Sequence, residues 1–320
     1  MNDLGKNSVA MLTIDEGSEG QRIDNYLLKL LKGVPKSHIY RILRKGEVRA
    51  NKKRVDATYR LVLGDIVRVP PVQTARREPA STQPVSAKLA HCTIFEDSAL
   101  LVINKPSGMA VHGGSGISRG VIEQLRLERP ELKFLELAHR LDRETSGVLL
   151  LAKKRSALVA LHEAMRSDSR AADGGMDKFY FALVKGNWPD ARRHVKLPLF
   201  KYLTAEDERR VCVREDGKPS HTIFSLQRKW DGFSLLEAEL RTGRTHQIRV
   251  HLAHLGFPIA GDDKYGDFPW NKELQRRGLK RMFLHAHKAV IRHPLTGETL
   301  TLEAPLPQEL EQFLHSLDKS

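Results

Sequence analysis

Beyond residue 91 the sequence is a succession of short apolar runs, and this pattern constrains the fold more than any other feature. Runs of strand length such as Leu100–Asn104, Val148–Ala152 and Tyr180–Val184 follow one another, and patterns with helical spacing interrupt them at irregular intervals. Strands with scattered helices are typical of an α+β fold rather than of an alternating parallel sheet. We therefore expect residues 91–320 to form an α+β domain.

The part of the chain before this domain has a different organisation. Residues 1–19 carry no periodic pattern, which predicts a flexible tail, and residues 71–90 contain prolines among small and polar residues, which predicts a semi-extended linker. Residues 20–70 lie between them and predict a small domain of helices and strands. A first amphipathic helix begins near Arg22, and a second helix, which Ser37 can cap, stops at Gly46.

The second helix and the segment after it predict a basic surface. At about 100° per residue, Ile39, Ile42 and Leu43 share one face of the helix, and cationic side chains share the opposite face. Residues 48–55 predict a hairpin with further cations at its tip. The candidate phosphate contacts on this surface, called the basic face below, are Arg41, Arg44, Lys45, Lys52 and Lys53.

The net charge of +14 indicates a polyanionic partner. RNA, DNA and anionic lipid would all satisfy it, and a basic face that is merely solvated is also possible. No apolar run approaches the roughly 18 residues of a membrane-spanning helix, and no signal peptide is evident. Cys92 and Cys212 are far apart, which excludes a disulfide framework and fits a reducing cytosol. We therefore expect a cytoplasmic protein without a membrane role.

Two polar clusters could carry chemistry. The first runs from His139 to Gly147 and places Asp142 between arginines just before an apolar strand, where nearby positive charge favours the ionised carboxylate. Such a carboxylate can act as a nucleophile or a base, although an aspartate that merely caps the turn fits this loop equally well. The second cluster, Arg241–His251, predicts a turn at Gly243 and a helix that Thr245 caps, so that the helix N-terminus and its arginines form an anion site.

Other motifs do not support a cofactor or a metal. The segment Gly114-Ser115-Gly116 lacks the third glycine of a dinucleotide-binding loop, and the sequence contains no phosphate-binding loop of the G-x-x-x-x-G-K-[ST] type. The histidines near position 250 have neither cysteine partners nor an H-E-x-x-H spacing, which argues against zinc. We expect neither a cofactor nor a metal.

The cluster His139–Gly147 resembles the signature of the RluA family of pseudouridine synthases. Similar family motifs occur at Asn104–Gly108, at Lys178–Tyr180 and at Thr242–His251, in the same order and with approximately the same spacing. Residues 20–70 resemble the S4 RNA-binding domain. Within the family the resemblance is strongest to enzymes of large-subunit, 23S ribosomal RNA, notably around Val111-His112-Gly113.

The resemblance implies a fold, a reaction and roles for particular residues. The fold would be a mixed, mainly antiparallel sheet with a central cleft, and the reaction would isomerise several uridines without a cofactor. Asp142 would be the catalytic carboxylate, as nucleophile or as sugar-proton base; Tyr180 would stack on the target base and Arg249 would pair with Asp142. Arg140 would fill the space left by the flipped uridine, and His139, Gln247 and His112 would contact RNA.

Partners follow from the same resemblance. The substrate would be 23S ribosomal RNA or an assembling large ribosomal subunit, and no obligate protein partner is evident. The alternative from another class is a non-catalytic, ribosome-associated RNA-binding protein, for which the residues 20–70 would suffice. The presence of Asp142, Tyr180 and Arg249 together favours the enzyme.

Overall fold

The computed structural model describes residues 8–31, 33–72, 89–113, 119–167 and 170–319. The chain splits into two compact units, Met1–Ser86 and Ala87–Ser320, called the first and the second unit here. Most of the predicted linker and the Gly114-Ser115-Gly116 segment lie outside the described residues. Within the described ranges, no helix is both long and apolar enough to cross a membrane.

The first unit is a small antiparallel sheet packed against two helices. Its elements are β1 (Ala10–Thr13), α1 (Ile23–Leu30), α2 (Lys36–Arg44), β2 (Arg49–Ala50), β3 (Lys53–Arg54) and β4 (Ile66–Val69), and the strand order is β1-β4-β2-β3. Ile39, Ile42 and Leu43 of α2 are buried in one apolar cluster with Leu27 of α1 and Val67 of β4. The predicted division of α2 into an apolar and a basic face is therefore confirmed.

Two expectations for the first unit are corrected. The assignment of residues 1–19 to a flexible tail is wrong for its described part, because β1 pairs with β4 along its whole length and Ile14 is buried. Strand β1 has only four residues, and its sequence Ala-Met-Leu-Thr shows no alternation of apolar and polar residues that would predict a strand. Ser37 does not cap α2: the helix begins at Lys36, after Pro35, so that Ser37 lies within its first turn, and no side chain caps it.

The second unit contains a ten-stranded sheet within the described residues. Its strand order is β10-β13-β14-β9-β15-β8-β6-β5, with β16 on β15 and β7 on β8. The elements are β5 (Thr93–Glu96), β6 (Leu100–Lys105), α3 (Val121–Glu128), β7 (Glu136–Leu137), β8 (Ser146–Ala152), α4 (Arg155–Arg166), β9 (Met176–Lys185), β10 (Arg192–Val195), β11 (Leu199–Leu203), β12 (Arg209–Val213), β13 (Thr222–Trp230), β14 (Phe233–Leu240), α5 (Gln247–His254), α6 (Phe268–Arg276), β15 (Leu284–Arg292), β16 (Thr299–Glu303) and α7 (Gln308–Leu317).

Strand pairing confirms the predicted fold class. Strands β8 and β15 pair in parallel through His285 and Ser146, whereas the other pairings described for this sheet are antiparallel. Strands β11 and β12 form a separate hairpin. The sheet is thus mixed and mainly antiparallel, with helices on its faces.

The middle of the sheet is buried on both faces. Leu149 and Leu151 of β8 belong to one apolar cluster, and Val148 and Leu150 belong to another that includes residues of α4. Because successive side chains of a strand point to opposite faces, a strand covered on both sides needs apolar residues at every position. The unbroken run Val148–Ala152 meets this need, and β8 gives the loop before it a rigid end.

Candidate active site

The loop that carries Asp142 is fixed at both ends by the sheet. Immediately after it, Gly147 has φ +114°, and a Cβ atom at this position would lie 2.2 Å from the carbonyl oxygen of Ala286 in β15. No other residue would fit without moving a backbone, which explains the glycine at the end of the His139–Gly147 cluster. The close approach of β8 and β15 thus fixes the end of the loop that carries Asp142.

Lys105 anchors the same loop from β6. Its ammonium group is fully buried and donates to the carbonyl oxygens of Pro106 (2.7 Å), Met109 (2.8 Å) and Arg143 (3.1 Å). Burial, together with the positive charge of Arg281, lowers the pKa of Lys105 to about 7. In its protonated form the amine has three donors, and the three carbonyls occupy all of them, so that the side chain holds the turn that follows Asp142.

Arg249, on the first turns of α5, connects Asp142 to a second carboxylate. Its guanidinium donates to both oxygens of Asp262, from Nε at 2.8 Å and from Nη2 at 2.7 Å, and Nη1 reaches Oδ2 of Asp142 at 3.4 Å. Arg249 and Asp262 are buried, and one-fifth of the Asp142 side chain is exposed. Although burial opposes ionisation, the guanidinium holds the pKa of Asp262 below its usual value. The bidentate pair therefore orients the arginine toward Asp142.

His246 approaches the same carboxylate from the loop before α5. Its Nε2 lies 3.8 Å from Oδ2 of Asp142, and its Nδ1 lies 2.8 Å from the hydroxyl of Tyr265. His246 is also the residue that precedes α5, and it has left-handed backbone angles, φ 54° and ψ 23°. The prediction that Thr245 caps α5 is wrong for this reason: the helix begins after His246, and no side chain caps it.

Tyr180 lies on β9 in the wall of the cleft. Its side chain is buried, and burial together with the negative charge of Asp142 raises the pKa of its phenol above the ordinary value. The phenol therefore keeps its proton at neutral pH. Tyr180 and Asp142 line one cavity of about 470 Å³, together with Arg140, Arg249 and Leu284.

Two of the predicted RNA contacts are engaged by the protein instead. His139 Nε2 accepts the backbone N–H of Leu150 at 3.1 Å, and burial lowers the pKa of this imidazole to about 3, so the ring is neutral. The side-chain amide of Gln247 accepts from Arg244 N–H and donates to the His221 carbonyl and the Thr222 hydroxyl. Both residues line the cavity, but their hydrogen-bonding groups fix the loops around it.

The other predicted contacts are accessible. Arg140 and His112 are exposed, and both line a second cavity of about 470 Å³ that also includes Asp142, His246 and Arg249. Asp142 is therefore reached from two sides, with Arg140 at the border between them. In the first unit, the basic face is exposed at all five positions: Arg41, Arg44, Lys45, Lys52 and Lys53.

Several residues of the site were not predicted from the sequence. Asp262 and Tyr265 lie between α5 and α6, and Lys105 acts through backbone carbonyls on another loop. The only signal for the first two was the polar run Gly261–Gly266, whose glycines flank two aspartates and a tyrosine. In the described part of the chain, no group of three His, Cys, Asp or Glu side chains could hold a metal ion.

Comparison with known proteins identifies the class to which this fold and this cleft belong. Residues 99–254 match the family model of RNA pseudouridylate synthases, and residues 21–67 match the S4 domain. The chain is 54% identical to ribosomal large subunit pseudouridine synthase C of Pasteurella multocida, over 97% of this chain and 94% of that protein. The chain therefore belongs to the RNA pseudouridine synthase family, as the sequence predicted, and it is an enzyme of this class.

Further relatives agree with this assignment. The enzyme called ribosomal large subunit pseudouridine synthase C in Escherichia coli K12 is 51% identical over 97% of both chains. Among solved structures, the human RNA pseudouridylate synthase domain containing 4 superimposes with a TM-score of 0.58 at 25% identity, covering 72% of this chain and 94% of that chain. These likenesses extend through the second unit and, for the bacterial proteins, through the first as well.

Proposed function

We propose that this enzyme converts specific uridines of 23S ribosomal RNA to pseudouridine, at several sites. The observation that carries the proposal is the Asp142–Arg249–Asp262 arrangement in a cleft that is large enough for a nucleotide and opens on two sides. The printed names of the bacterial relatives, which match nearly the whole chain, support the large ribosomal subunit as the source of the RNA.

The reaction begins at Asp142. Its carboxylate attacks the ribose carbon C1′ or removes a proton from the sugar, and on either route the bond between N1 and C1′ breaks. The uracil then rotates and its C5 forms a bond to C1′, while the bond between Asp142 and C1′ breaks on the first route and the sugar regains its proton on the second. C5 then loses its proton and N1 gains one, so that the product is an isomer of the substrate. Arg249 supplies a fixed positive charge beside Asp142, which keeps the carboxylate oriented through these steps.

Tyr180 assists the last proton transfer. Its aromatic ring provides a surface on which a base can stack, an interaction worth about 1–3 kcal/mol per base. Because its raised pKa keeps the phenol protonated, Tyr180 takes up the C5 proton only as it passes its own proton to a neighbouring acceptor. The acceptor in this proposal is the carboxylate of Asp142, whose charge acts on Tyr180.

The target uridine must leave its stack to bring the sugar and the base into the cleft together. Arg140, exposed at the border of the two cavities, is positioned to fill the gap that the nucleotide leaves. His112 contacts the same RNA strand from the second cavity. Residues 20–70 act as an S4-type RNA-binding domain through the basic face, and residues 91–320 act as the catalytic domain. The enzyme works in the cytoplasm, on 23S RNA or on an assembling large subunit.

The test is a map of pseudouridines in ribosomal RNA from a strain that lacks the gene. Specific 23S positions should lose pseudouridine, and wild-type protein supplied in trans should restore them, whereas the Asp142→Asn variant should not. Incubation of purified protein with free 23S RNA and with precursor subunits then identifies the substrate particle. An unchanged 23S map in the deletion strain would rule out the proposed substrate.

A further inference from the structure

The two oxygens of Asp142 have different surroundings. Both nearby donors approach Oδ2: Nη1 of Arg249 lies at 3.4 Å and Nε2 of His246 at 3.8 Å. The second distance is longer than a hydrogen bond, and catalytic contacts of this kind commonly shorten when the substrate binds. Because both donors approach Oδ2, Oδ1 is the oxygen that is available to contact the ribose.

Hydrogen bonds around His246 determine which of its ring nitrogens carries the proton. The backbone N–H of Val211 in β12 donates to the hydroxyl oxygen of Tyr265 at 3.0 Å, and this hydroxyl lies 2.8 Å from Nδ1 of His246. If the hydroxyl donates its proton to Nδ1, the neutral ring carries its own proton on Nε2. The opposite tautomer would direct the Nε2 lone pair at the carboxylate of Asp142, which is electrostatically unfavourable.

The ring is neutral because of its surroundings. Burial lowers the pKa of His246, and the positive charges of Arg249 and Lys264 lower it further. Together these effects outweigh the negative charges of Asp142 and Asp262, which raise the pKa. Glu208 and Asp263 also line the cavity that His246 borders. A neutral imidazole with a fixed tautomer is a directional donor rather than a second counter-ion.

The backbone of His246 supports a positioning role. A non-glycine residue with φ 54° is uncommon and strained, although histidine is among the residues that tolerate it. Such strain persists where the surrounding structure requires it, commonly at functional sites. Here the left-handed conformation occurs at the one residue that joins the Arg241–Thr245 loop to α5 and faces Asp142.

We propose that His246 is a positioning residue whose neutral Nε2–H donates to Oδ2 of Asp142, so that Oδ1 is presented to the ribose. Tyr265 sets the tautomer through Nδ1, and Arg249 holds the same oxygen from the other side. The inference rests on the proposed role of Asp142. It adds a chain of hydrogen bonds that runs from β12 through Tyr265 and His246 to Asp142.

The tautomer can be measured without any RNA. Protein labelled with ¹⁵N-histidine is examined by long-range ¹H–¹⁵N correlation NMR at pH 7, and the His246 ring is assigned by its loss in His246→Gln. We expect the proton on Nε2, and we expect Tyr265→Phe to give a mixture of tautomers. A His246 ring protonated on Nδ1, or on both nitrogens, would overturn the proposal.

The turnover of two variants tests whether catalysis depends on the N–H donor at Nε2 of His246. The side-chain nitrogen of His246→Gln can take the place of Nε2, whereas that of His246→Asn can only take the place of Nδ1. We expect His246→Gln to keep kcat within about threefold of wild type and His246→Asn to lose at least tenfold in kcat, with KM unchanged in both. A purely structural role predicts the reverse order, because asparagine adopts left-handed angles more readily than glutamine. If the kcat of His246→Asn equals or exceeds that of His246→Gln, the positioning role is wrong. If the wild-type enzyme does not modify 23S RNA, the proposed substrate is wrong, and the NMR result alone then decides the inference about His246.

Discussion

Arg44 in the first unit and Arg249 in the second unit are both helical arginines, but their surroundings have little in common. Arg44 is exposed at the end of α2, beside other exposed cations of the basic face. Arg249 is 5% exposed and its guanidinium is shared between Asp262 and Asp142. The first arginine is available to any phosphate, and salt will weaken such contacts. The charge of the second is directed at one carboxylate.

The two arginines therefore have different expected roles: the exposed one contributes to RNA affinity, and the buried one to the catalytic step. Exposed cations supply binding energy that is insensitive to the identity of the base, because phosphate contacts carry no sequence information. The buried pair contributes little to encounter with RNA, but it holds Asp142 in one orientation. Substitutions in the two units should therefore change different quantities: salt-dependent affinity in the first, and turnover or stability in the second.

The largest effect is expected at Asp142, the carboxylate that we propose reacts with the ribose. Asp142→Asn preserves the shape of the side chain but removes its charge and its nucleophilic oxygen, so turnover should fall by about a thousandfold or more, which corresponds to about 4 kcal/mol in activation free energy. Affinity for RNA should change less than twofold. Single-turnover tritium release from C5-labelled RNA and a filter-binding titration measure the two quantities.

The matched control for this change is Asp231→Asn, which removes the same charge from the exposed turn between β13 and β14. It should leave both turnover and affinity unchanged. Turnover near the wild-type level in Asp142→Asn would contradict the proposed mechanism, whatever the RNA substrate.

The second effect concerns the stability of the buried pair. Asp262→Ala leaves the guanidinium of Arg249 without its bidentate partner, and removing one member of a buried pair costs about 3–5 kcal/mol. Asp262 also accepts the N–H groups of Lys264 and Tyr265, so its loss disturbs the loop that contacts His246. Urea unfolding monitored by tryptophan fluorescence reports this change, because all three tryptophans, Trp188, Trp230 and Trp270, lie in the second unit.

The neighbouring Asp263 provides a control within the same site. It lies 3.5 Å from Nη2 of Arg249, but its side chain is 77% exposed. Exposed pairs contribute little, so Asp263→Ala should change the free energy of unfolding by less than about 0.5 kcal/mol. Equal losses for the two variants would show that burial does not distinguish these carboxylates.

Sequence patterns predicted much of this architecture for physical reasons. A strand covered on both faces must be apolar throughout, so Val148–Ala152 was recognisable, and an amphipathic helix such as α2 shows its buried face in its spacing. The loop His139–Gly147 was recognisable as a site because polar residues are concentrated there. Strand β1 was missed because it is only four residues long. Helix α6 was missed although the sequence carries two signals for its start, the capping residue Asp267 and Pro269 in the first turn.

The remainder of the site depends on tertiary contacts that no local pattern encodes. Asp262 meets Arg249 only because the chain turns back at Gly261, and Lys105 holds the Asp142 loop through carbonyl groups that every residue possesses. Likewise, nothing in the sequence shows that the hydrogen bonds of His139 and Gln247 are used inside the protein. Residue type predicted a polar site, and only the fold shows which polar groups stay available to RNA.

The two units should also differ in their response to acid. In the second unit, burial lowers the pKa of His251 and of His285 to about 4, so both rings are neutral in the folded state. In the unfolded chain each would bind a proton near its ordinary pKa of 6.5, so stability is complete above this pH and is lost as the pH falls toward 4. The expected loss is about 2 kcal/mol for each histidine by pH 5.

The first unit should be insensitive over the same range. Its one histidine, His38, is not buried, and its buried carboxylates, Asp24 and Asp65, have lowered pKa values, so their contribution is lost only below about pH 4. Hydrogen exchange with mass spectrometry at pH 7 and pH 5, corrected for the intrinsic exchange rate, separates the units. Protection should decrease in β8 and β13 and remain unchanged in α2. A parallel decrease in both units would contradict the assignment to buried histidines.

The smallest effect is expected from the basic face, since each of its exposed cations makes an independent and solvent-screened contact. The triple variant Arg41→Ala, Arg44→Ala and Lys45→Ala removes two charges from α2 and one from the residue that follows it, without touching the buried face of the helix. We expect affinity for 23S RNA fragments to fall about tenfold at physiological salt, and the slope of log K against log salt to decrease by about 1 per lost phosphate contact. Turnover at saturating RNA should be unchanged.

The control removes three exposed charges from the second unit, Lys272, Arg276 and Lys280, and it lowers the net charge by the same amount. If both triple variants lose the same affinity and slope, RNA responds to net charge alone and the basic face has no special role. If only the α2 variant loses affinity, the first unit supplies binding energy that the cleft does not.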